Sequence, residues 1–223
     1  SVGSMEYRMD DWGVDITVTG SQKGFMLPVG LAILGLSAKA QAAMETATLP
    51  RTFFDFRDMR KSYAVGGYPY TPAVGLLNGL STACDLLLRE GLESVWARHN
   101  RIAEGVRRAI AGWGLRPCAI SPDLYSDTVT AVVVPEGCNG TDLAKLAAEK
   151  YDMAFGVGLG EVAGKVFRIG HLGSLTDAMM LSGLAVAEMC MADLGWQVRL
   201  GSGVAAAQDY YRSSAPAQAR QAA

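Results

Sequence analysis

The sequence predicts an α/β chain in two parts. An α/β segment covers residues 1–91, and a small, compact α+β unit covers 92–223, with the last ten residues fraying. Three observations carry this reading. Two β-rich runs flank a glycine-punctuated loop near the start, two long helical stripes follow one another from about residue 71 to 113, and short strands alternate with helices after Leu115. Half of the 223 residues are apolar and 19% are charged, enough to build a core and too apolar for a disordered chain.

In order along the chain, Val14–Val18 alternates and is β-branched, which predicts a strand between Gly13 and Gly20. A polar loop, Gly20-Ser21-Gln22-Lys23-Gly24, comes next. The run Val29–Leu34 is nearly all apolar, as a strand covered on both faces would be. Ser37 is placed to cap a helix reaching about Glu45. Leu49 to Tyr70 has no clear period and reads as a long loop. Thr71-Pro72 combines a favoured N-cap with a favoured first helical residue, and Leu76, Leu77, Leu80, Ala83, Cys84 and Leu87 then form one stripe.

A second helix is expected over Leu92–Trp113, with Val95, Ile102, Val106 and Ile110 inward and Arg98, Arg101, Arg107 and Arg108 mostly outward. Beyond it come strands at Leu115–Ile120 and Thr128–Val134, and a helix from Thr141 to about Tyr151. A strand pair around Phe155–Gly158 and Lys165–Gly170 and a helix over Thr176–Leu194 complete the unit. The stretch after Leu200 reads as a tail.

Composition excludes several functions. Twenty basic against 22 acidic residues, with no basic block, lacks the footprint of a nucleic-acid binder. The four cysteines, at positions 84, 118, 138 and 190, form no CxxC pair, and the two histidines have no ligand-like spacing, so no metal site is expected. They read as reduced thiols of a cytoplasmic protein. The longest apolar run, Met26 to Leu36, is far short of the roughly 20 residues that cross a bilayer, and is expected to be a buried strand. No basic-then-apolar leader opens the sequence. The absence of an initial Met suggests the later portion of a longer chain.

Lys23 stands out among the candidate catalytic residues. A lysine in a loop between strands can be an ordinary solvated side chain, or a desolvated amine that attacks an aldehyde cofactor. Thr71, with Tyr68 just before it, would place hydroxyls at a helix N-terminus, where unpaired N–H groups can hold a phosphate; an ordinary cap is the alternative. Arg168 interrupts the apolar strand Val166-Phe167-Arg168-Ile169, where its planar fork needs an anion: a substrate carboxylate, or a local partner such as Glu161. Gly156, Gly158 and Gly160 depart from the dinucleotide fingerprint and are explained by a turn. Cys138, the one thiol that looks exposed, has no basic neighbour to activate it, and His171 reads as a satisfied structural histidine.

The segment from Gly3-Ser4-Met5 through Ser21-Gln22-Lys23-Gly24 to Gly30, the run Tyr68-Pro69-Tyr70-Thr71-Pro72 and the run Arg168-Ile169-Gly170 together resemble, in order, the class V aminotransferases. The similarity is nearest to their serine-glyoxylate and alanine-glyoxylate group. The resemblance implies the end of the large domain of a pyridoxal 5'-phosphate-dependent transferase, a mixed sheet with helices on both faces, followed by the small domain. It implies that Lys23 binds the cofactor aldehyde and moves the proton. It also implies that Gln22 contacts the phosphate, that Tyr68 and Thr71 reach the phosphate of the neighbouring subunit in a homodimer with shared sites, and that Arg168 holds the α-carboxylate of a small amino acid. Amino transfer from serine to glyoxylate is the implied reaction. Alanine or aspartate as donor, a desulfurase or lyase on the same scaffold, and a non-catalytic dimerising remnant are the alternatives. Members of the family are roughly twice this length, so these residues alone are expected to be inactive.

Overall fold

The computed structural model describes residues 1–214, and the expected fraying of the last residues falls largely outside them. The chain divides into two units, Ser1–Leu92 and Glu93–Ala223.

In the first unit, β1 (Ile16–Gly20) and β2 (Ala32–Leu36) form a two-stranded antiparallel sheet, with Ile16 opposite Leu36 and Gly20 opposite Ala32. Both strands lie two to three residues later than the sequence predicts; before β1, Val14 is drawn into a turn by the Met9 carbonyl. The expectation that β2 is covered on both faces fails: Leu34 is 39% exposed, and Ile16 and Val18 of β1 are more so. Helix α1 (Ala38–Thr46) begins where expected, with the Ser37 hydroxyl accepting the Ala40 N–H at 3.1 Å.

The reading of residues 49–70 as a loop is corrected by α2 (Phe56–Tyr63). Asp55 caps it, and Phe56, Met59 and Tyr63 recur on one face, a period that eight residues are too few to reveal among so many charges. Helix α3 (Val74–Glu90) starts later than Thr71-Pro72 predicts: its N-cap position is Ala73, which makes no side-chain bond. The carbonyl of Pro72 takes the Val74 N–H in a tight turn, so Thr71 lies outside the helix. Of the expected stripe, only Ala83 and Leu87 are buried.

The second unit holds the main core. Helix α4 (Leu92–Gly112) is followed by β3 (Arg116–Pro117), β4 (Val129–Val133), α5 (Gly140–Tyr151), β5 (Gly156–Val157), β6 (Val166–Gly170) and α6 (Asp177–Asp193). The four strands form an antiparallel sheet in the order β3-β4-β6-β5. Val132, Phe167 and Ile169 from the sheet meet Val106 and Ile110 of α4, Leu143 of α5 and Leu184 and Met191 of α6. Three arginines of α4 are not outward: Arg98 reaches the Gly173 carbonyl at 2.7 Å. Arg101 forks onto Asp177 at 2.6 and 2.8 Å, and Arg107 reaches Asp127 at 3.2 Å.

The tail reading after Leu200 is also corrected, by α7 (Ser202–Ser213). Ala207 and Tyr211 bury there, and the Tyr211 hydroxyl donates to the Ile102 carbonyl of α4 at 2.8 Å. The buried carboxylate of Glu188, on α6, accepts the Trp113 indole N–H and the Gly203 N–H at 2.8 Å each, the Val204 N–H at 3.0 Å and the Gly201 N–H. One side chain thereby caps α7 and ties it to α6 and to the end of α4.

Candidate active site

The loop after β1 is suspended from its buried flanks. Ser21 has no exposed surface. Its N–H donates to the Leu31 carbonyl and its own carbonyl accepts the Leu27 N–H, both at 3.1 Å. Its hydroxyl donates to the Pro28 carbonyl at 2.7 Å and accepts the Leu31 N–H at 3.2 Å. Gly24 is pressed against the segment Val2–Ser4: a Cβ there would collide with the Val2 carbonyl oxygen and come within 2.9 Å of the Ser4 hydroxyl. The turn closes when Met26, itself at φ 58°, donates to the Lys23 carbonyl at 3.0 Å. With residues 21 and 24 inside, Gln22 and Lys23 are held outward. Lys23 is therefore exposed in this chain, as the solvated one of its two sequence readings has it, and not desolvated as the catalytic one requires.

Tyr68 lies before α3 with its ring 5.6 Å from that of Tyr63. Both border a cavity of about 400 Å³ together with Leu34, Met44, Met59 and Leu77. Burial and the hydrogen bond with Tyr68 push the Tyr63 phenol above its ordinary pKa. Thr71 is exposed. Among the described residues no hydrogen bond joins Gln22 or Lys23 to Tyr68 or Thr71.

Arg168 belongs to the second unit. Phe167 and Ile169 take the core face of β6, so the period of two sends Arg168 to the opposite face. Its Nε donates to the Val157 carbonyl at 2.9 Å. Among the described residues it forms no ion pair, and Glu161 is not its partner. The strand end that follows is pinned. The His171 Nε2 meets the Thr130 hydroxyl at 2.9 Å while its Nδ1 meets the Asp127 carbonyl at 3.1 Å. The His99 Nε2 accepts the Gly173 N–H at 3.0 Å, and Arg98 holds the Gly173 carbonyl at 2.7 Å. Burial lowers the His171 pKa to about 4, so the ring is neutral and structural.

Sequence reasoning passed over Ser21 and Gly156 as site-building residues. Ser21 sits inside a motif read for its neighbours, and only the long-range bonds to Pro28 and Leu31 reveal it as an anchor. Cys138 is half-buried like Cys84 and Cys118, so it is not singled out by exposure.

Comparison with known proteins places this geometry. The profile of the Aminotransferase class-V family matches residues 1–166. The chain belongs to this family. An L-aspartate–glyoxylate aminotransferase of Paracoccus denitrificans is 66% identical over 100% of the chain and 56% of its own length. A serine–glyoxylate aminotransferase of Hyphomicrobium methylovorum is 52% identical over 96% of the chain and 54% of its own. The crystal structure of pyridoxamine-pyruvate aminotransferase from Mesorhizobium loti superposes with a TM-score of 0.89 at 35% identity, covering 96% of this chain and 56% of that one. The chain thus spans about half the length of the curated relatives it matches.

Class V aminotransferases depend on pyridoxal phosphate. The first unit of this class V chain carries groups of the kinds that an aldehyde and a phosphate take: the exposed Lys23 amine, the Gln22 amide and the Tyr68 and Thr71 hydroxyls. The Ser4 hydroxyl, buried without a hydrogen-bond partner among the described residues, lies against Gly24, one residue from Lys23. The residues present fit the group.

Proposed function

We propose that the enzyme carrying this chain moves the amino group of a small amino acid onto glyoxylate. The observation that carries the reading is the suspended turn of residues 21–24, which holds Gln22 and Lys23 outward in a chain of this family. Serine is the donor that the motif resemblance implies. Aspartate is a second reading, favoured by the 66% identity to the protein named for that donor.

In this reading Gln22 binds a phosphate oxygen and Lys23 supplies the amine that engages the cofactor aldehyde, then carries a proton to and from the substrate Cα. Pyridoxal phosphate, when bound, supplies the electron sink that makes the Cα–H bond acidic. Tyr68 and Thr71 donate to the phosphate across a homodimer interface, so that each site draws on two subunits. Arg168 grips the substrate α-carboxylate through its fork. Residues 1–91 complete the large domain and 92–223 form the small one.

The test uses the intact enzyme. Glycine formed from glyoxylate is measured with serine, aspartate and alanine as donors. Lys23→Ala is expected to lower turnover by at least about 10²-fold and to leave no cofactor attached to residue 23 after borohydride reduction. Wild type with residue 23 unlabelled by that treatment would refute the assignment. Sulfide release from cysteine in place of glycine formation would move the enzyme to the desulfurase reading.

A further inference from the structure

Arg168 is flanked in the sheet by the two smallest residue types. Its cross-strand partner on β4 is Ala131, and its partner on β5 is Gly156. Directly opposed residues of an antiparallel pair put their side chains on the same face, where a larger neighbour would compete for the space over the strand. At Gly156 that space is filled by Arg168 itself. A Cβ at 156 would lie 3.0 Å from its Nε, 3.1 Å from its Cβ and 3.4 Å from its Cζ. The guanidinium thus lies across β5, where its Nε reaches the Val157 carbonyl at 2.9 Å. Gly156 does not adopt a positive φ, so its backbone conformation is open to alanine. On the other side, Arg168 and Ala131 border a cavity of about 170 Å³ with Thr130, Tyr125, Ser126 and Pro117.

We propose that Gly156 and Ala131 are positioning residues that clear a slot for the Arg168 guanidinium, so that it turns its two Nη groups, and not Nε, to a substrate carboxylate. A guanidinium can meet a carboxylate side-on, through Nε and one Nη, or end-on, through both Nη groups. With Nε spent on Val157, the end-on fork is the one left, and its direction is set by β5 and not by the side chain's own rotamers. This rests on the reading that Arg168 binds the carboxylate.

The experiment compares Gly156→Ala, Ala131→Val, Arg168→Lys and the double variant Gly156→Ala/Arg168→Lys in the intact enzyme. Steady-state kinetics are combined with calorimetric titration of propionate, a carboxylate that cannot react. Gly156→Ala is expected to raise both the donor KM and the propionate Kd about tenfold with kcat within about twofold, the size of one weakened charge-assisted hydrogen bond. In the Arg168→Lys background the same change is expected to do almost nothing, because lysine has no Nε–H to lose to Val157. Ala131→Val attacks the slot from the other strand and reports even if Gly156→Ala folds poorly. Slow exchange of the Arg168 Nε–H, seen by nitrogen-15 NMR in wild type, is expected to be lost in Gly156→Ala.

If Gly156→Ala and Ala131→Val leave KM and Kd unchanged while Arg168→Lys raises them, the slot is refuted and the carboxylate reading stands. If Arg168→Lys also changes neither, the carboxylate reading itself falls, and the NMR signal alone then decides the Nε–Val157 lock. An equal effect of Gly156→Ala in both backgrounds overturns the proposal in favour of a general structural role.

Discussion

His171 shows how one buried ring makes the Arg168 strand sensitive to acid. Both of its nitrogens are engaged: the Asp127 carbonyl can only accept, so Nδ1–H donates to it, and in the neutral ring Nε2 accepts from the Thr130 hydroxyl, while burial disfavours the charged form. Its pKa falls from an ordinary 6.5 to about 4 on folding, so the unfolded state binds the extra proton first. The stability contributed is complete above about pH 6.5 and is lost as the pH falls toward 4, a total of about 3 kcal/mol. Urea denaturation of the second unit at pH 7 and at pH 4 should show this loss, and His171→Asn should remove most of the difference. The same ring was legible in the sequence as structural, since a lone histidine beside an apolar strand needs partners to be buried. Lys23 and Arg168 stand out in the sequence because a charged residue amid glycines or apolar residues is conspicuous, and the roles proposed for them rest on the motif resemblance. Ser21 and Gly156 were not, since their roles exist only across loop and strand pairings that no local pattern records.

At the scale of elements, the helices with a regular apolar stripe or a side-chain cap were legible: α1 with Ser37, α4 with its buried valines and isoleucines, and α6 with the Thr176 hydroxyl on the Met179 N–H. Of the two missed, α2 has a cap in Asp55 and an apolar face, but eight charge-rich residues are too few to show the period, and α7 has no cap signal of its own. Helix α7 has no side-chain cap of its own, because Gly201 stands at the N-cap and the capping oxygens come from Glu188, thirteen or more residues earlier. Replacing Glu188 by alanine strips acceptors from the indole and from backbone N–H groups at a buried helix end. A loss of about 3 kcal/mol is expected in chemical denaturation. Glu188→Gln keeps the volume but turns a donor toward other donors, and should cost about 2 kcal/mol. A near-neutral Glu188→Ala would show that α7 docks through Ala207 and Tyr211 alone.

Across the whole molecule, burial is unequal. In residues 1–92 only Ser4, Ser21, Gly24, Ala83 and Leu87 are buried, while Val18 is 67% and Val29 71% exposed. The second unit contributes nearly all of the core. Amide exchange on the 223 residues should therefore find slow protons on α4, β4, β6 and α6 and fast ones throughout β1 and β2, a contrast of at least about 3 kcal/mol. Uniform protection would contradict it. Among the described residues no helix is long and apolar enough to cross a membrane. The core of the second unit, moreover, is closed by residues far apart in sequence: Tyr211 covers Ile102 across 109 positions, and Arg101 hydrogen-bonds the Ser214 carbonyl across 113. During synthesis on the ribosome, α4 therefore emerges long before its lid. The part of its surface that Tyr211 covers must wait until α7 has cleared the exit tunnel.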